Sequence, residues 1–187
     1  ASRFARSASG APDKRGGLPP DPRPERAGRR PALPFEWTPI GGGPMLPDLQ
    51  HRVAASSVLA ERATFVGQVE PDDVRTWLGS HEVDALVNVS ASEGLPVALM
   101  EAASFGIPMI ATAVGGSSET VDASCGRLLP ADPSVEVVAR VLTDFARLSV
   151  DERDGIRDAS RARWASRFSA DTNYEEFGDL LASLLAR

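Results

Sequence analysis

The spacing of apolar residues changes several times along this chain. Short runs at Phe35-Glu36-Trp37-Thr38-Pro39-Ile40, Thr64-Phe65-Val66-Gly67, Ala85 to Val89, Ile107 to Ala111 and Arg127-Leu128-Leu129 read as strands. Pro39 places the first of them at a sheet edge or a strand end, because proline has no N–H for a ladder. Between the runs, apolar residues recur at the helical period of about 3.6. Leu46 to Val58 carries Leu46, Leu49, Val53 and Ala54 on one face, and Pro71 to Leu78 turns Val74, Trp77 and Leu78 inward. Pro96 suits a first helical position, and Val97, Leu99, Met100, Ala103 and Phe105 continue a largely apolar helix from it. Ser117 or Ser118 is placed to cap a short helix through Val121. Val135 to Leu148 is apolar at Val138, Val141, Leu142 and Phe145, and Asp151 to Phe168 is more polar. Ser169 opens a last helix with Tyr174, Phe177, Leu181 and Leu184 on one face. Strands and helices alternating at this spacing predict an α/β fold, a parallel sheet with helices on both faces.

Residues 1–34 differ. Gly16-Gly17, Pro19-Pro20, Pro22 and Pro24 break regular structure, and apolar residues are sparse. The expectation is a disordered or loosely attached segment at 1–34 and a domain over 35–187. The net charge of −6 is uneven, since residues 1–30 hold seven Arg and one Lys against three acids. That basic arm lacks interleaved aromatics and reads as a tail, with no nucleic acid as partner. A single cysteine, Cys125, excludes an internal disulfide and fits a reducing compartment. No apolar run is long enough to span a membrane.

The candidate chemistry lies between Asn88 and Ala103. An apolar strand ends, a polar loop follows, and a helix begins after Gly94. Helix N-termini bind anions through free N–H groups, and ligands of open α/β sheets lie beyond the strands' carboxyl ends. The place suits a phosphate. Glu93 in the loop and Glu101 in the helix are nearby carboxylates able to accept hydroxyl hydrogen bonds. Glu119 equally suits a plain helix-start role. His51 and His81 stand alone in polar surroundings and read as surface residues. Cys125 reads as a small buried residue, and Trp37, Trp77 and Trp164 as packing. No Asp-x-Asp or His-rich cluster points to a metal.

The string Glu93-Gly94-Leu95-Pro96-x4-Glu101-Ala102, then Phe105 to Thr112, then Gly115-Gly116-x2-Glu119, resembles the retaining nucleotide-sugar glycosyltransferases of family four. The likeness runs from about Trp37 to about Phe168. It implies one half of a GT-B fold, the C-terminal, Rossmann-like domain that binds the donor. By the same resemblance, Glu93 faces the donor sugar as the catalytic candidate and Glu101 holds the ribose hydroxyls. The N–H groups at Gly94 and Leu95 hold the terminal phosphate. Gly42 lies in a Gly-x-Gly-Pro turn beside the base, and Lys14 contacts the diphosphate. The arginine expected five residues before Lys14 is replaced by Ser9. The resemblance implies no metal or other cofactor, a nucleoside diphosphate sugar as donor substrate, and an N-terminal Rossmann-like acceptor domain that this chain lacks. It implies a cytoplasmic enzyme of surface or extracellular polysaccharide synthesis, with the inner face of the membrane as a place of peripheral association. The alternative is a non-catalytic α/β domain that binds a nucleotide or a protein, inactive because the acceptor domain is missing.

Overall fold

The four residues of β3 (Ala85–Asn88) and the four of β4 (Met109–Thr112) are all buried. Strands covered on both faces have no polar face to show, which is why these runs are nearly continuous in apolar residues. The computed structural model describes residues 2–7 and 34–185. Its other strands are β1 (Ser2–Ser7), β2 (Phe35–Ile40) and β5 (Gly126–Leu129). The five form one sheet in the order β2-β1-β3-β4-β5, with every neighbouring pair parallel. Among the described residues, the connections between strands hold α1 (Leu46–Ala54), α2 (Ser57–Ala60), α3 (Pro71–Ser80), α4 (Val97–Ser104) and α5 (Ser117–Thr120). Three helices follow β5, α6 (Val135–Ala146), α7 (Val150–Arg167) and α8 (Ala170–Leu185).

Alternation along the strands divides the core. Leu86, Met109 and Ala111 face one cluster, which takes Leu78 from α3 and Leu99, Ala102 and Ala103 from α4. Ala85, Val87 and Ile110 face the other, with Leu129, Phe145 of α6 and Ile156 of α7. This is the expected α/β sheet covered on both sides. The order of strands reverses between β1 and β3, and at such a switch point the loops leave in opposite directions and open a crevice. The loop after β3 therefore runs along that crevice.

Four expectations need correction. Residues 1–34 are not all outside the fold, because Ser2–Ser7 is a strand within the sheet, paired with β2 on one side and β3 on the other. Backbone pairing places it there, since β2 and β3 would otherwise present bare inner edges. Residues 8–33 lie outside the described residues.

The strand expected at Thr64 to Gly67 is an extended segment held to β2 by isolated bridges at Trp37–Ala63 and Ile40–Gly67. Thr64 and Val66 donate to the carbonyls of Trp37 and Pro39, at 2.9 and 3.0 Å. Pro39 has no N–H to return, so the ladder is interrupted at its middle. With this segment counted, the strand order is that of a doubly wound dinucleotide fold.

The helix expected over Leu46 to Val58 breaks after Ala54. Ser56 adopts an extended conformation and its Oγ accepts from the Leu59 N–H at 3.4 Å, which starts α2. The N-cap of α5 is Gly116 rather than a serine, and Ser117 is buried.

Candidate functional site

The Glu93–Pro96 turn follows β3 and precedes α4, so it sits at the carboxyl edge of the sheet beside the switch point. Pro96 is buried as the N-cap of α4, and its carbonyl accepts from Leu99 at 3.1 Å. Among the described residues, the N–H groups of Gly94, Leu95, Val97 and Ala98 have no carbonyl partner. Orphan donors at a helix start are what an anion uses.

A second loop fixes the turn. The Gly116 N–H donates to the Gly94 carbonyl at 2.7 Å. A trans peptide sets its C=O and N–H in opposite directions. The Leu95 N–H, in the same peptide unit, therefore points away from Gly116. Close approach of the two loops requires glycine. A Cβ on Gly115, whose φ is +49°, would lie 1.9 Å from the Glu93 carbonyl oxygen, and one on Gly116 would lie 2.8 Å from that of Gly94.

Glu93 is held by groups that the sequence pattern did not single out. Asn88, buried at the end of β3, donates from Nδ2 to Glu93 Oε1 at 3.2 Å. Ser90 Oγ lies 2.6 Å from that same oxygen and 2.6 Å from Asn88 Oδ1. Thr112, buried at the end of β4, donates from Oγ1 to the Ser90 carbonyl at 2.6 Å. The two central strands thus fix the carboxylate through their last residues. The one signal in the sequence was a polar Asn closing an apolar run.

Glu101 lies within α4 with 16% of its side chain exposed. Burial pushes its carboxyl above the ordinary value of 4.5, against the pull of the Arg75 guanidinium at 3.5 Å. An acid whose pKa is raised by folding costs stability when ionised. That cost is present above the folded pKa and is lost as pH falls through it. Glu101→Gln is therefore expected to unfold at a higher temperature than the parent near neutral pH, with the gain disappearing in acid. Thermal melts across pH check this, and a lower midpoint at every pH would show that Glu101 is a structural ion-pair member.

The remaining candidates separate from this centre. Gly42 lies past the carboxyl end of β2, where a Cβ would meet Gln68 Oε1 at 2.5 Å. That is the same sheet edge, two strands away from β3. Lys14 and Ser9 lie outside the described residues. Glu119 is exposed in α5 and its carbonyl accepts from Arg163 at 2.8 Å. His51 and His81 are exposed, the latter stacked on Trp77 at 4.3 Å. Cys125 is buried, and burial pushes its thiol up. Among the described residues, no three His, Cys, Asp or Glu side chains converge as a metal site. No helix among them is long and apolar enough to cross a membrane.

Comparison with known proteins gives this chain relatives. The family described as glycosyl transferases group 1 matches residues 26–145. The amylovoran biosynthesis glycosyltransferase AmsK of Erwinia amylovora is 27% identical, over 80% of this chain and 37% of that protein. The D-inositol 3-phosphate glycosyltransferase of Streptomyces coelicolor is 34% identical, over 81% of this chain and 32% of that protein. Among solved structures, Anabaena HepE in complex with UDP-glucose superposes with a TM-score of 0.66 at 20% identity, covering 81% of this chain and 42% of that one. The C-terminal domain of the group 1 protein LpcC of Francisella tularensis superposes with a TM-score of 0.60, also at 20% identity, covering 73% and 71%. The chain spans about a third of the length of the curated relatives it matches.

Proposed function

The chain belongs to the group 1 glycosyl transferases, and from that premise we propose that it is the donor-binding domain of an enzyme transferring a sugar from a nucleoside diphosphate sugar, with retention at the anomeric carbon. The observation that carries this reading is the Glu93–Pro96 turn. Its Gly94 carbonyl is tied to Gly116 and its neighbouring N–H groups are left at the start of α4. A terminal phosphate at this turn gains aligned backbone donors and the positive end of the helix dipole. The leaving diphosphate draws its stabilisation from the same donors, with Lys14 as a further cation. Glu101 accepts the ribose hydroxyls from within α4. Glu93, on the other side of the turn and held by Asn88 and Ser90, faces the sugar. Gly42 borders the base.

The acceptor is a growing surface or extracellular polysaccharide or a related glycoconjugate. Support for this comes from relatives named for amylovoran and colanic acid biosynthesis. An N-terminal Rossmann-like domain supplies the acceptor site. On α8, Tyr174, Phe177, Leu181 and Leu184 are exposed, at 76%, 58%, 44% and 56%, an apolar face against which such a domain would rest. The complete enzyme works in the cytoplasm, against the inner face of the membrane.

Titration calorimetry with UDP, UDP-glucose, GDP and GDP-mannose tests the assignment. Glu101→Gln is expected to weaken the bare nucleotide by about tenfold or more, since hydrogen bonds to a charged group are worth about 1.5–3 kcal/mol. Glu93→Gln is expected to spare the bare nucleotide and weaken only the nucleotide sugar. Equal losses for the bare nucleotide would refute the division of roles. No binding of any of the four ligands would favour the non-catalytic, protein-binding alternative. Repeating the titration with a chelator places the diphosphate's counter-charge, since loss of binding would assign it to a divalent cation.

A further inference from the structure

Arg75 projects from the middle of α3, a helix to which sequence assigns no chemistry. Its Nη2 donates to Asp72 Oδ1 one turn back on the same helix, and its Nη1 stands 3.5 Å from Glu101 Oε1 on α4. The three groups form a graded row. The side chain of Asp72 is 84% exposed, that of Arg75 50%, and that of Glu101 16%. The inner carboxylate is the desolvated member, and a desolvated carboxylate requires a partner.

We propose that Arg75 is a positioning residue of the donor site, holding Glu101 by Oε1 so that Oε2 is presented to the ribose hydroxyls. The proposal rests on the reading of Glu101 as the ribose acceptor and adds a residue to it. Two features fit positioning better than a plain surface ion pair. The contact links two helices rather than two turns of one, so it sets where the carboxylate stands relative to the turn at Gly94. Its cation is half-exposed and anchored at the far end by Asp72, so it can stay in place when a nucleotide covers Glu101.

Charge strengthens the geometric argument. Burial disfavours the ionised form of Glu101, and Arg75 opposes it. Among the described residues, the arginines of α7 that reach α4 and its neighbours are committed elsewhere, Arg157 to the Val83 carbonyl. Arg161 of α7 donates to the Ser104 carbonyl, and Arg163 bonds Asp122 and the Glu119 carbonyl. Strands β3 and β4 carry no charged side chain, and Asp73 of α3 is exposed. Among the described residues, Arg75 is thus the cation that keeps Glu101 an acceptor as pH falls.

The experiment measures UDP and GDP affinity of the full chain between mildly acidic and mildly alkaline pH, for the parent, Arg75→Met, Arg75→Lys, Glu101→Gln and the Arg75→Met/Glu101→Gln pair. Carbon-13 NMR of the Glu101 carboxyl follows its titration independently of ligand. The parent loses affinity as pH falls through the Glu101 titration. In Arg75→Met the burial of Glu101 is unopposed, so both the NMR midpoint and the loss of affinity move to higher pH. Affinity at neutral pH then falls by about threefold to tenfold, the usual range for one mutated hydrogen-bonding partner. Arg75→Lys keeps the charge and restores the midpoint. In the Glu101→Gln background, Arg75→Met changes nothing further. If Arg75→Met leaves both midpoints unmoved while Glu101→Gln flattens the affinity profile, the donor-site reading stands and the proposal is overturned. Tighter binding by Arg75→Met would also overturn it, by making Arg75 a competitor for the carboxylate. If neither nucleotide binds any variant, the ribose reading fails and takes the proposal with it.

Discussion

Deleting residues 1–7 is expected to abolish the cooperative unfolding transition of this domain. The removed segment contains β1, which runs in register with six residues of β2 and three of β3. It lies between them in the sheet, so its loss bares two inner edges rather than trimming one. Each ladder hydrogen bond contributes about 0.5–1.5 kcal/mol net, and an unpaired buried group costs about 1–3 kcal/mol. Summed over both edges of β1, the loss rivals the whole stability of a domain this size, about 5–15 kcal/mol. Bare strand edges also pair with those of other molecules, so the truncated chain should aggregate. Circular dichroism during thermal and denaturant unfolding, with light scattering, checks this. A transition with the parent midpoint would mean that β2 and β3 close on each other without β1.

That strand marks where sequence pattern and structure part. Ser2-Arg3-Phe4-Ala5-Arg6-Ser7 contains two arginines and no β-branched residue, whereas a strand inside a parallel sheet usually reads as an apolar run. Backbone pairing, which leaves no trace in hydropathy, assigns it to the sheet. Ala85 to Val89 and Ile107 to Ala111 were legible because burial on both faces demands apolar side chains at successive positions. The turn at Glu93 was legible for a different reason: Gly94 and Pro96 are residues whose backbone properties announce a loop passing into a helix.

The partners of these carboxylates were not legible. Asn88 and Ser90 are near Glu93 in sequence, but their roles depend on the path of the loop. Arg75 meets Glu101 only because α3 and α4 lie on the same face of the sheet. The bend after Ala54 had its signal in Ser56, which is a good N-cap, yet a continuous apolar face through Val58 outweighed it. Side chains that satisfy each other across elements are chosen by packing, and one sequence does not record that choice.

Gly115→Ala is expected to remove nucleotide binding as well as stability, and a second glycine separates the two effects. At Gly115 the φ of +49° costs an L-residue about 1–2 kcal/mol. The added Cβ would also lie 1.9 Å from the Glu93 carbonyl oxygen and 2.7 Å from its carbon. The obstacle is backbone, so relief comes only by moving the Glu93–Pro96 turn, the Gly115–Gly116 loop, or both. Either movement strains the 2.7 Å bond from Gly116 to Gly94 and with it the direction of the Leu95 N–H. Donors must stay within hydrogen-bonding distance of a phosphate to be useful. The affinity of the folded protein for UDP or GDP should therefore fall by at least about tenfold, roughly 1.4 kcal/mol. Gly126→Ala is the control. Its Cβ would lie 2.0 Å from the Met109 carbonyl oxygen, an equally severe clash. Gly126 and Met109 begin β5 and β4, so this clash falls at the amino edge of the sheet, opposite the turn. Overpacking of this kind costs about 1–3 kcal/mol. Gly126→Ala should lower the unfolding midpoint while its folded fraction binds nucleotide as the parent does. If folded Gly115→Ala binds with parental affinity, contact between the two loops does not aim the anion-binding groups. If Gly126→Ala loses affinity to the same degree, the effect at Gly115 is general loosening of the sheet rather than displacement of the turn.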